Sequence, residues 1–208
     1  MAALTDYATL KAGVISFTGR DDLSPLFDTL LALGESAMYN NESKPLRVSS
    51  LESSTSLVTV GGTNAVALPT DYIALRSLKM TDGGEECELT YNSPSALQIG
   101  TGGQPQYYTI NGTNITFDAI PDGVYTLTLD YYARPAALDS TNDTNAILTN
   151  YPDIYMYACM FSVYDYTTEP QMSENYYNKM VRSIRGAMKA DSKGLRPNAA
   201  MRHRGITP

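Results

Sequence analysis

Tyr107-Tyr108-Thr109-Ile110-Asn111-Gly112-Thr113-Asn114-Ile115-Thr116-Phe117 decides how the rest of this sequence is read. Side chains alternate on either side of Asn111-Gly112, a dipeptide that accepts the positive φ angles of a type I′ turn, so the stretch predicts a tight β-hairpin. Outward from it the same period of two persists from Leu46 to Tyr132. Pro121-Asp122-Gly123 predicts a turn into a third strand, Val124 to Tyr132, and Asp82-Gly83-Gly84 predicts a second hairpin between Ile73–Met80 and Cys87–Tyr91.

Both flanks read as helices. Leu4, Tyr7, Leu10, Val14 and Phe17 fall at helical spacing, with Gly19 placed to cap the end. A second helix is expected to open on Ser24-Pro25 and to bury Leu26, Leu30, Leu33, Ala37 and Met38, ending near Asn40 and before Pro45. Beyond the β region, Tyr151-Pro152-Asp153 begins a third helix with Ile154, Tyr157, Ala158, Phe161 and Asp165 on one face. Pro170 is expected to end it. The fourth runs from about Ser173 to Ser192, with Tyr177, Met180, Ile184 and Met188 on one side and Arg182, Arg185 and Lys189 on another.

The expected fold is therefore α+β. Four helices from residues 1–45 and 150–193 form a bundle, a mostly antiparallel β domain (46–149) is inserted between helices 2 and 3, and 194–208 is an extended C-terminal arm.

Composition narrows the chemistry. Of 208 residues, one is histidine (His203) and two are cysteines (Cys87 and Cys159), far apart and outside any CxxC spacing. Zinc frameworks and a preorganised Ser-His-Asp or Cys-His arrangement lack their parts. Gly100-Thr101-Gly102-Gly103 has neither the lysine nor the strand-to-helix setting of a phosphate cradle and reads as a loop. Asp82, Glu85, Glu86 and Glu88 are the densest carboxylates, but they match no EF-hand and read as a wet strand face. The expectation is no catalytic residue, no metal and no cofactor.

Charge is unevenly placed. Residues 1–170 hold 7 basic and 20 acidic side chains, net −13, whereas 171–208 hold 8 basic and 2 acidic, net +6. An acidic body does not suit phosphate binding, and the basic end is the part suited to a negative partner. Lys179, Arg182, Arg185 and Lys189 continue into Lys193, Arg196, Arg202, His203 and Arg204. This run reads either as a solvated helix face with a polar tail or as a docking arm that orders on a partner.

Sixteen tyrosines accompany no tryptophan, and several stand in adjacent pairs: Tyr107-Tyr108, Tyr131-Tyr132 and Tyr176-Tyr177. In a strand one of each pair faces the core and the other faces out, where tyrosine suits a subunit interface. No basic n-region with an apolar run opens the chain, and no apolar stretch reaches membrane-spanning length, so a soluble cytosolic origin is expected.

The order of Leu68-Pro69-Thr70-Asp71-Tyr72, Gly103-Gln104-Pro105-Gln106-Tyr107-Tyr108, Pro121-Asp122-Gly123-Val124-Tyr125, Asp130-Tyr131-Tyr132 and Pro152-Asp153-Ile154-Tyr155 resembles the phage head-to-tail adaptor (connector) family. Proteins like tail tubular protein A of short-tailed phages belong to that family. The resemblance spans about residues 4 to 190 and implies a non-enzymatic virion protein, made in the host cytoplasm. Such a protein forms a ring with itself, dodecameric in the family, between the portal protein and a tail nozzle or neck protein. Genome DNA passes through the channel without specific binding.

On that reading Arg196, Arg202, His203 and Arg204 form the portal-docking arm, Lys179, Arg182, Arg185 and Lys189 make portal or subunit contacts, and Tyr107, Tyr108, Tyr131 and Tyr132 make a β-domain interface. A β-rich carbohydrate-binding or virion decoration protein is the alternative; it explains exposed tyrosines but predicts no helices around the β segment.

Overall fold

Asp6 opens the first helix, α1 (Tyr7–Thr18). Its carboxylate accepts from the Thr9 amide at 2.8 Å while the Thr9 hydroxyl accepts from the Asp6 amide at 3.0 Å, so two orphan donors are satisfied reciprocally. Gly19, at φ 63°, closes the helix with its amide on the Ile15 carbonyl. Tyr7, Leu10 and Val14 are buried, but Phe17, expected in the same stripe, is exposed.

This is a computed structural model, and it describes residues 3–41 and 43–194. The chain divides into two compact units, one from Met1–Ser50 with Ala136–Pro208 and the other Leu51–Pro135.

In the first unit, Ser24-Pro25 does not cap the second helix as expected. Both residues lie inside a 3-10 turn, Asp21–Leu26, and α2 (Phe27–Tyr39) begins after it. Leu26 and Leu33 stand 39% and 56% exposed; α2 instead buries Phe27, Leu30, Leu31, Gly34, Met38 and Tyr39, a stripe at helical spacing turned by about one residue from the expected one. The Tyr7 hydroxyl donates to the Asp28 carboxylate, joining α1 to α2. Burial and that carboxylate push the Tyr7 phenol up to about 12.

A short helix absent from the sequence reading, α3 (Ala146–Asn150), is capped by Asn145, whose side-chain oxygen accepts from the amides of Ile147 and Leu148 at 3.1 and 2.9 Å. Then α4 (Pro152–Tyr166) starts on its proline. α4 packs against α1, α2, α3 and α5, so burial runs around most of its circumference. The single face expected from Ile154, Tyr157, Ala158, Phe161 and Asp165 is corrected accordingly. Ile154 and Ala158 are buried, together with Tyr155, Met156, Cys159, Met160, Ser162 and Val163, while Asp165 is exposed.

Thr168, in the left-handed region at φ 57°, separates α4 from α5 (Pro170–Gly194). Pro170 thus starts a helix instead of ending one, and Ser173, expected at the helix start, is buried within it. Ser49 donates from both its amide and its hydroxyl to Asp191 of α5.

The second unit contains two four-stranded sheets. The first runs β1 (Glu52–Val58), β8 (Thr126–Ala133), β3 (Tyr72–Asp82), β4 (Glu85–Glu88), all antiparallel. The second runs β2 (Ala65–Ala67), β7 (Asn114–Phe117), β6 (Tyr107–Asn111), β5 (Thr90–Tyr91), with one parallel pair, β5 on β6. Asn111 opposes Asn114 across the predicted turn, with Gly112 at φ 60°. Asp82 opposes Glu85, with Gly83 and Gly84 both at positive φ.

The strand after Pro121-Asp122-Gly123 does not extend the central hairpin. It crosses to the other sheet and lies between β1 and β3. Leu78, Met80, Leu127, Leu129 and Tyr131 from the first sheet and Tyr108, Ile115 and Phe117 from the second share one core with Leu89. Each such side chain contributes about 1.5–3 kcal/mol of burial before entropy.

Candidate functional site

Three surface features stand outside the buried cores, one in the helical unit and two in the β unit. On α5, Lys179, Arg182, Arg185 and Lys189 recur at helical spacing, within one arc of about 120°. Arg182, Arg185 and Lys189 are exposed and Lys179 is half-buried. Tyr164 and Tyr176 stack at 5.3 Å with their planes 9° apart, Tyr157 tilts against Tyr176 at 6.3 Å, and the Lys179 ammonium lies 4.4 Å from the Tyr176 ring centroid. That cation–π contact holds one cation on an aromatic platform. Burial, with the neighbouring Tyr176 and Glu169, raises the Tyr164 pKa. Beside it Tyr157, Lys179, Arg182 and Ser183 line a groove of about 400 Å³. Among the described residues the ion pairs are Arg20–Asp22, Arg76–Glu52 and Lys79–Glu86, so none involves the α5 row.

The second feature is a polar cleft of about 430 Å³ on the first sheet, lined by Glu52, Ser53, Ser54, Arg76, Ser77 and Asp130. Register makes it: Ser54 and Ser77 both lie opposite Asp130 on the flanking strands. A register shift between Leu75 and Ser77 lets Arg76 and Ser77 line the same cleft although they are adjacent in sequence. Arg76 pairs with Glu52 and sits 5.7 Å from the Tyr132 ring centroid. The Asp130 carboxyl is held below its usual range by hydrogen bonds from Ser54 and Ser77, with Lys79 and Arg76 adding positive charge. A carboxylate so stabilised is a poor base, and its hydroxyl neighbours donate to it without being activated.

The third is apolar. Val58, Val60 and Val124 are exposed, and the Thr59 amide on the Tyr125 carbonyl at 3.0 Å brings their segments together at the end of the first sheet.

Neither cysteine has the setting of a nucleophile. Cys159 is fully buried, which pushes its thiol far upward, and Cys87 is exposed on β4. Among the described residues no group of three or more His, Cys, Asp or Glu side chains is placed to hold a metal ion. Asp82, Glu85, Glu86 and Glu88 are all exposed at the β3–β4 hairpin, with Glu86 3.6 Å from Lys79. Among the described residues no helix is long and apolar enough to cross a membrane.

A family model described as SU10 adaptor protein matches residues 5–204. The chain belongs to the SU10 adaptor protein family. This is a phage adaptor family, and the match takes in both compact units. No curated protein matches the chain.

For an SU10 adaptor, the tyrosines divide by strand parity. Tyr107 is 41% exposed and Tyr132 half-buried on the outer face, whereas Tyr108 and Tyr131 are 3% and 4% exposed in the core. Tyr108 and Tyr131 therefore belong to packing and not to an interface. Tyr131 donates to Asp71 at 3.0 Å and Tyr108 meets Tyr91 edge-on at 5.7 Å. Burial pushes the Tyr108 phenol up to about 12. Arg196, Arg202, His203 and Arg204, the expected docking arm, lie outside the described residues.

Sequence reasoning missed the cleft around Asp130. Its three strands are far apart in the chain, and the local trace is the hydroxyl-rich run Ser53-Ser54-Thr55-Ser56.

Proposed function

We propose that this SU10 adaptor is a non-catalytic head-to-tail connector of a tailed phage, a dodecameric ring between the portal and a tail nozzle or neck protein, through which genome DNA passes. The observation that carries the reading is the family match over residues 5–204, almost the whole chain. On this reading the helices act as a bundle in which the β segment is an insertion, as the resemblance to head-to-tail adaptors like tail tubular protein A implies.

Charge supports a division of labour. A body of net −13 repels the phosphates of passing DNA, so the channel does not retain the genome, while the basic end is free to dock. Exposed Val58, Val60 and Val124, with Tyr107 and Tyr132, supply apolar and aromatic area of the kind found at subunit contacts. Arg196, Arg202, His203 and Arg204 are assigned to acidic grooves of the portal.

Co-sedimentation of the chain with the portal protein of its own phage tests this. The full chain is expected to pellet with portal, and the chain truncated after Gly194 is expected to stay folded but remain in the supernatant. Equal pelleting of both would remove the docking role of the arm, and no pelleting of the full chain would remove the connector reading.

A further inference from the structure

A ring made by one chain needs a heterologous contact, in which each copy presents two different surfaces that fit each other. The α5 row is one surface seeking a complement. Lys179, Arg182, Arg185 and Lys189 span about 15 Å along the helix axis, and among the described residues no carboxylate pairs with any of them.

Many carboxylates of the chain already hold something. Asp6 caps α1, Asp118 accepts from two backbone amides, Asp130 accepts from two serines, and Asp191 accepts from Ser49. The β3–β4 hairpin differs: Asp82, Glu85, Glu86 and Glu88 crowd into residues 82–88, all exposed. Their internal partners are few: Gln104 at 3.3 Å on Asp82 and Lys79 at 3.6 Å on Glu86. Protection of a sheet edge does not account for that density, since an edge strand of four residues is already guarded by its shortness. Glu86 and Glu88 share one face of the hairpin and Asp82 opposes Glu85 on the other, so the carboxylates surround its tip over about 10 Å, within the reach of the α5 row.

We propose that the acidic β3–β4 hairpin of one copy docks against the basic face of α5 of the next, forming the polar half of the subunit contact around the ring. This rests on the ring reading above and names the partner surface for Lys179, Arg182, Arg185 and Lys189. The occupant is a second copy because exposed patches of opposite sign occur on the same chain, so each copy carries both halves of a complementary contact. Complementary charged surfaces of this kind fix register and orientation as well as adding affinity.

Charge exchange tests it. One variant, R182E/R185E, makes the helix face acidic; a second, E85K/E88K, makes the hairpin basic while leaving Lys79–Glu86 in place. All four positions are exposed, and circular dichroism checks that each variant folds. Rings are counted by negative-stain electron microscopy on portal, with cross-linked ladders as a second readout. Each patch variant alone should need about tenfold more protein than the parent to form rings, or form none. The variant carrying all four changes, and an equimolar mixture of the two patch variants, should assemble like the parent.

Patch variants that assemble at the parent's concentration overturn the proposal while leaving the ring reading intact. So does loss of rings that neither the fourfold variant nor the mixture restores. Binding of a duplex DNA fragment that R182E/R185E abolishes with rings unaffected would assign the α5 row to nucleic acid and overturn the proposal. A parent chain that forms no ring on its portal overturns both readings.

Discussion

Gly34→Ala sets two effects of known sign against each other at the crossing of α2 and α4. Alanine is the better helix former by about 1 kcal/mol, so on propensity alone the change should stabilise. At Gly34, however, an added Cβ would lie 3.0 Å from both the carbonyl carbon and the carbonyl oxygen of Ala158 and 3.3 Å from its Cβ. Two of those obstacles are backbone, which no rotamer change can move. α4 is also packed by α1, α3 and α5, so it has little room to retreat.

Overpacking of this kind costs about 1–3 kcal/mol, and rigid backbone obstacles put Gly34 toward the upper end. The net expectation is destabilisation by about 1–2 kcal/mol, or a melting temperature lower by about 2–8 °C in a chain of this size. Gly186 on α5 is the matched control: it is exposed, and a Cβ added there would meet nothing within 4 Å. Gly186→Ala should therefore stabilise by up to about 1 kcal/mol. Urea unfolding followed by far-ultraviolet circular dichroism reads both. Opposite signs support the reasoning; a Gly34→Ala chain as stable as the parent, or both variants shifting the same way, refutes it.

Asp130 gives a pH signature for the β unit. Its folded pKa is depressed, so its contribution is present above the unfolded value of about 3.9 and is lost as pH falls through the folded value. Asp130→Asn should lower stability at neutral pH and flatten the loss of stability on acidification below about pH 4, measured by chemical denaturation across that range. Tyr155→Phe removes a hydroxyl that donates to Glu35 at 3.0 Å and accepts from Asn145 at 2.7 Å; loss of the two hydrogen bonds should cost about 1–3 kcal/mol in urea unfolding. Thr109→Val should do the reverse and stabilise by about 1 kcal/mol, because the buried Thr109 hydroxyl has no hydrogen-bond partner among the described residues.

What was legible in the sequence was local. Asn111-Gly112 specifies its turn through its own backbone preferences, and Gly19 ends α1 for the same reason. The β8 crossover was not legible, because the partner of Thr126–Ala133 is chosen by the free faces of β1 and β3, remote in the chain. The same holds for the cleft that joins Ser54, Ser77 and Asp130.

Leu26 and Leu33 were misplaced because residues 26–38 carry two overlapping apolar stripes at helical spacing, and only the packing partners choose Phe27, Leu31 and Gly34 over Leu26 and Leu33. The one-sided reading of α4 failed for a different reason: a helix with neighbours around most of its circumference has no single buried face. The α5 cations and the carboxylates of residues 82–88 were found by spacing alone, while the use of Asp6, Asp118 and Asp130 in caps, turns and cross-strand bonds became visible only with the fold.

The connector account is tested most directly by cryo-electron microscopy of the chain bound to its portal. It predicts a closed dodecameric ring of this chain on the portal with an open central channel. A monomer, an open filament or an unringed decoration on the particle surface would contradict it.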